Sequence, residues 1–190
     1  MLYLKLGTVS SRKTANMLMT IHEYESTNKK ILILKPDRDS RNVGVIASRA
    51  GLNERECHTF TNGLDLYKHM ERLEKGTTVF IDEIQFCSEE ECELIKAVSQ
   101  RHNILCYGLL SDYTGKTFGA ISNLLGECPS VEWIKSMCTF CDKSARMNLR
   151  MIDGEPIYSG DSILPEVQLG KDEYFKVCVE CFHNAPTQRP

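Results

Sequence analysis

Short apolar runs alternate with longer segments of helical period over the first two thirds of the chain. No other feature constrains the fold as much, because this alternation marks an α/β domain built on a mostly parallel sheet. Leu2–Leu6 reads as the first strand, Ile31–Leu34, Val79–Ile81 and Ile104–Tyr107 as further buried strands, and Val131–Ile134 as a last one. Between them, apolar side chains recur every three or four positions: Met17, Ile21 and Tyr24; Leu66, Met70 and Leu73; Cys92, Ile95 and Val98. Those are three amphipathic helices. Ser88 followed by Glu91 is a capping-box pattern, which starts the third helix just after DEIQFC. Asp37–Gly51 has no sustained period, and its charges and glycines suggest a mobile loop over a site.

From Cys138 onward the texture changes. Strand-like runs, Ala145–Met151 and Tyr174–Val177, flank a loop rich in Gly, Asp and Pro, Ile152–Asp172, and no long helix is evident. A chain of 190 residues with 42% hydrophobic and 26% charged residues can bury one sizeable core and carry a small appendage. The boundary is expected near Ser136, dividing a first domain (1–136) from a small second one (137–183) and a frayed tail (184–190).

The segment GTVSSRKT, Gly7–Thr14, lies between a strand and a helix, where a phosphate-binding P-loop would lie. The full pattern G-x-x-x-x-G-K-[ST] uses glycine for backbone approach to phosphates, lysine for charge and a hydroxyl for Mg²⁺. Gly7, Lys13 and Thr14 fit it, and Arg12 does not. Arginine there adds a Cβ where the chain must hug a nucleotide, and puts a side chain on a backbone position that favours glycine. The candidate phosphate-binding residues are Gly7, Ser11, Arg12, Lys13 and Thr14; the alternative is a strand-to-helix turn with solvated basic side chains.

A second motif favours the first reading. VFIDE, Val79–Glu83, puts two carboxylates at the end of a buried strand, where they have little reason to be unless they meet solvent, a cation or substrate. Asp82 suits Mg²⁺, together with Thr14, and Glu83 suits accepting a proton from a substrate hydroxyl. The competing reading is a pair that caps the next helix. The fold expected is therefore a P-loop NTPase-like, mostly parallel sheet flanked by helices.

Of nine cysteines, Cys57, Cys87, Cys92, Cys106 and Cys128 are scattered among helix and strand signals and read as small buried hydrophobes. Cys138, Cys141, Cys178 and Cys181 form two CxxC pairs, which together can close a tetrahedral Zn²⁺ site. Four thiolates leave no open position, so the zinc is expected to be structural; His183 is a competing ligand, but a solvated tail histidine is the favoured reading. The net charge of −3 offers no general attraction to a phosphate backbone, and no apolar run approaches the roughly 20 residues of a membrane span. Neither nucleic acid nor a membrane is expected as a partner. The N-terminus MLYLKLGTVSSRKT is too polar for a secretion signal, so the expected location is cytoplasmic.

The order of these motifs, together with YGLLSDYTGKTFG (Tyr107–Gly119), FGAISNLL, CTFCDKSARMNLR (Cys138–Arg150) and EYFKVCVEC (Glu173–Cys181), resembles the zinc-containing cytosolic thymidine kinases from about Leu2 to Cys181. The resemblance implies that Asp82 is the Mg²⁺-linked aspartate, Glu83 the catalytic base, and Lys13 and Thr14 the phosphate-loop residues. It places Arg49 near the phosphates and Leu109, Tyr113 and Phe118 around the nucleoside, where ordinary core packing is the competing account. It implies that a loop of roughly Tyr158–Tyr174 binds the pyrimidine largely through main-chain groups, with Gly170 in a glycine position, Lys171 where a second glycine is usual, and Tyr174 as its aromatic residue. Cys181 stands where relatives often have histidine. The reaction implied is transfer of the γ-phosphoryl group of ATP to the 5′-hydroxyl of thymidine or deoxyuridine, by a homotetramer. Arg12 and Lys171 motivate a rival, a catalytically impaired nucleotide- or nucleoside-binding homologue. A zinc-ribbon nucleic-acid adaptor is the other.

Overall fold

The computed structural model describes residues 1–38, 44–48, 51–127, 130–161 and 172–185. The chain divides into two compact units: Met1–Leu6, Arg12–Gly108 and Gly119–Trp133 form the first, and Gly7–Ser11, Leu109–Phe118 and Ile134–Pro190 the second.

The expected strands form the first unit's parallel sheet: β1 (Leu2–Gly7), β2 (Ile31–Pro36), β6 (Thr78–Ile81), β7 (Asn103–Leu109) and β8 (Ser130–Trp133). They are joined by β5 (His58–Phe60), and the order is β5-β2-β6-β7-β1-β8. All four residues of β6 are buried, as are Leu4, Leu6, Ile104 and Cys106. A strand covered on both faces shows no polar alternation, which is why these segments read as continuous apolar runs. Helix α1 (Lys13–Ser26) buries Met17, Leu18 and Ile21, and the half-buried Tyr24 meets Phe80 edge to face at 5.4 Å.

Helix α2 (Gly63–Met70) stops before Leu73, which the periodicity had included; its N-cap is Asn62, whose side chain accepts from Asp65 N–H. Helix α3 (Glu89–Ser99) begins with the expected capping box: Ser88 Oγ accepts the Glu91 N–H at 3.3 Å, and Glu91 Oε2 accepts the Ser88 N–H at 2.6 Å. The fully buried Glu91 also pairs with Arg38, whose Nη1 donates to it at 2.9 Å and to the Phe86 carbonyl at 2.7 Å. Within the span expected to be a loop, Val45–Ile46 forms strand β3, antiparallel to β4 (Arg55–Glu56). A further helix, α4 (Gly119–Leu125), has no periodic signal long enough to announce it. Among the described residues no helix is long and apolar enough to cross a membrane.

The second unit centres on an antiparallel sheet, β10-β9-β11: β9 (Met147–Ile152), β10 (Glu155–Ile157) and β11 (Asp172–Val177). The short helix α5 (Val179–His183) follows. Leu149, Met151, Val177 and Phe182 form a small core with Cys138 and Cys178. Of the other cysteines, Cys87, Cys92 and Cys106 are buried as expected, Cys57 is only half-buried, and Cys128 lies outside the described residues.

Candidate active site and metal centre

Strand β6 ends at Ile81 and delivers Asp82 and Glu83 to the carboxyl edge of the parallel sheet. In open α/β sheets this edge is where ligands bind. Asp82 is buried, with its backbone N–H donating to the Leu34 carbonyl at 3.1 Å and its Oδ1 accepting the Glu83 N–H at 3.0 Å. Burial, reinforced by the Glu83 charge, pushes its pKa up to about 7, while the charges of Lys13 and Lys35 pull it down. Both lysines are themselves buried. Carboxylate and cations thus share one low-dielectric locality.

Glu83 is half-buried and left-handed, with φ 51°, heading the single 3₁₀ turn Ile84–Phe86. Few non-glycine residues adopt this conformation, and it is concentrated at functional sites. The Gln85 amide nitrogen donates to Glu83 Oε2 at 2.5 Å.

The phosphate-loop segment is tightly turned. Ser10 and Arg12 both have positive φ, 52° and 70°. Arg12 therefore occupies the left-handed backbone expected of the glycine it replaces, with its side chain exposed. As N-cap of α1 it supplies no side-chain bond, and the first turn holds no acidic residue. A capless helix start of this kind leaves N–H groups for an anion. Lys13 is buried and Thr14 half-buried at that start. Within the second unit, a side chain on Gly7 would collide with that of Ser11, whose buried hydroxyl has no hydrogen-bond partner among the described residues. The Val9 N–H donates to Asn148 Oδ1 at 2.8 Å.

The second unit also holds the residues expected around the nucleoside. Leu109 and Phe118 are half-buried. Tyr113 is nearly fully buried and donates its hydroxyl hydrogen toward the carbonyls of Ser159, at 3.3 Å, and Asp161, at 3.1 Å. Its ring meets the more exposed Tyr174 ring edge to face at 6.3 Å. Beneath them Arg150 pairs with Asp172 at 2.7 Å and lies 5.0 Å from the Tyr113 ring centre. Arg49, Gly170 and Lys171 lie outside the described residues.

The two CxxC pairs come together: the four Sγ atoms all lie within 4.8 Å of one another. Cys141 Sγ is 3.6 Å from that of Cys178 and 3.7 Å from that of Cys181. A tetrahedron with Zn–S bonds of about 2.3 Å has sulfurs about 3.8 Å apart, so the cluster fits a zinc ion. Burial opposes ionisation of Cys138, but the backbone N–H donors around it, with the Cys141 thiol, bring its pKa down to about 7. His183 is exposed, packs against the Phe182 ring, and is not in the cluster.

Sequence reasoning missed Asn148 and Arg150, whose importance lies in contacts distant along the chain. Gln85 lies within the DEIQF segment, but nothing in its spacing reveals its bond to Glu83.

The thymidine kinase family model matches residues 1–182 of this chain. A thymidine kinase of Streptococcus pyogenes serotype M3 is 34% identical over 188 residues, which cover 96% of this chain and 97% of that protein. One from Streptococcus agalactiae serotype Ia is 33% identical over the same shares. With a match of that extent spanning both the acidic turn and the cysteine cluster, the chain belongs to the thymidine kinase family.

Proposed function

We propose that this protein transfers the γ-phosphoryl group of ATP to the 5′-hydroxyl of thymidine or deoxyuridine, with Glu83 as general base. The observation that carries the reading is the acidic turn at the end of β6, where the buried Asp82 feels the charge of Lys13 at the start of α1. Glu83 accepts the hydroxyl proton as the 5′-oxygen bonds to the γ-phosphorus and the bond to the bridging oxygen of ADP breaks. Lys13, Arg12 and the N–H groups at the start of α1 balance the donor's charge; Gly7 and Ser11 shape the loop, and Arg49 is assigned a place near the phosphates. Asp82 and Thr14 would hold Mg²⁺ brought with ATP, which supplies charge neutralisation on the phosphate oxygens.

Leu109, Tyr113, Phe118, Gly170 and Tyr174 are assigned to the nucleoside. Tyr113 is too deeply buried to offer much surface, so its part is to hold the 159–161 backbone through its hydroxyl. Cys138, Cys141, Cys178 and Cys181 would hold a structural zinc. The resemblance further supports a cytoplasmic homotetramer. The test is thymidylate formation from thymidine, ATP and Mg²⁺: the parent is active and Glu83→Gln loses at least about 100-fold in turnover. Full turnover in that variant rejects the assigned base.

A further inference from the structure

We infer that Gln85 is a positioning residue for the base: its amide holds the Glu83 carboxylate, and the bare Cα of Gly108 is the seat on which that amide rests. The inference builds on the reading of Glu83 as the base.

Glu83 needs a constraint of this kind. It sits at a left-handed turn, φ 51°, and its two methylenes give the carboxylate several rotamers to choose among. Gln85, two residues on and buried, returns its side chain to Glu83, with Nε2 2.5 Å from Oε2. The other end of that amide faces β7. A Cβ on Gly108 would stand 2.6 Å from Gln85 Oε1 and 2.6 Å from Ile84 Cγ2, closer than real contacts allow. Gly108 has no positive φ to explain a glycine. Its need is space, and the amide fills that space.

The chemistry of an amide suits the role. A neutral donor restrains the carboxylate without adding the full charge of a lysine, which would weaken it as a base. A glutamate at the same place would set two carboxylates side by side. A methionine would fill the volume and donate nothing. Loss of one hydrogen bond to a charged group therefore predicts about a 10- to 100-fold fall in kcat, with little change in KM for thymidine or ATP, as befits a residue that acts only through Glu83.

The experiment measures kcat and both KM values for the full chain and for Gln85→Met, Gly108→Ala, Glu83→Gln and Glu83→Gln/Gln85→Met, with melting temperature recorded for each. The expected result is a kcat loss in Gln85→Met and Gly108→Ala with KM values within about twofold, and a double variant no slower than Glu83→Gln alone. Gln85→Met turning over at the parent's rate overturns the inference, as does a further large loss in the double variant. Should Gln85→Met fail to fold, Gln85→Asn, whose amide stops one methylene short, is held to the same outcomes. Full turnover in Glu83→Gln brings down the base assignment itself, whereas a dead Glu83→Gln beside a fully active Gln85→Met brings down only the role of Gln85.

Discussion

Asn148 on β9 accepts the backbone N–H of Val9 with its Oδ1, at 2.8 Å, and spends its Nδ2 on the Ser111 carbonyl, at 2.6 Å. One buried carboxamide thus ties the phosphate-loop segment to the turn after β7. Replacing it with Leu strands a half-buried donor and a buried acceptor, a loss of about 2–4 kcal/mol. Asn148→Leu is expected to melt several degrees lower and to show a KM for ATP raised roughly tenfold, with KM for thymidine changed less. Thermal unfolding and steady-state kinetics check both. An unchanged ATP dependence would mean that Val9 does not help shape the phosphate site.

Arg12 carries a side chain at φ 70°. A left-handed conformation costs a non-glycine residue about 1–2 kcal/mol, part of which glycine gives back as extra freedom in the unfolded chain. Arg12→Gly is therefore expected to gain up to about 1 kcal/mol of stability, and Arg12→Ala to gain none. Both lose the exposed cation, so both should bind ATP several-fold more weakly. Denaturant titration of the two variants separates strain from charge, and equal gains in stability would refute the strain account.

The buried Asp82 implies a pH-dependent penalty on folding. Its pKa rises from 3.8 to about 7 on folding, because burial and the Glu83 charge disfavour the anion. Below pH 3.8 the group is protonated in both states and exacts nothing. The penalty grows as pH climbs toward about 7 and is complete above that. Asp82→Asn, which keeps the acceptor for the Glu83 N–H, should match the parent near pH 4 and exceed it by about 2–4 kcal/mol at pH 8, while losing activity. Melting curves of the metal-free proteins across that range supply the comparison; a gap that is constant with pH would contradict it.

The cysteine cluster predicts one zinc per chain. Chelation should release it, lower the melting temperature and free four additional thiols for titration. Cys87 and Cys92 should stay silent, because burial raises their pKa values, that of Cys92 to about 11. Metal analysis, thermal unfolding and thiol titration read all three; a stoichiometry of zero in freshly purified protein would count against a structural metal.

What could be read from the residues tracks how locally each feature is encoded. Strands β1, β2, β6 and β7 were legible because burial on both faces leaves an uninterrupted apolar run. Strand β5 was not: His58–Phe60 is three residues long, and only Phe60 is buried. Strand β10 carries Pro156 on the outer edge of a small sheet, where a missing N–H does no harm but the sequence looks like loop. In the site, the strand-end position of Asp82 and Glu83 and the spacing of the cysteine pairs announced themselves through residue type. The left-handed turn at Arg12 followed from the glycine it displaces. By contrast, Asn148 meets Val9 139 positions away, and Gly108 meets Gln85 only because β7 lies beside β6. Contacts of that range belong to the folded topology, and no local pattern encodes them.

Cys138 and Cys141 precede β9, and Cys178 and Cys181 follow β11. A zinc ion held by these four thiolates would therefore clasp the root of the hairpin-like sheet and close the intervening residues into a ring. Closure entropy grows only slowly with ring length. Lengthening the chain at the far end of β9–β11 would then cost the unit little of its folding free energy while its base stays fastened.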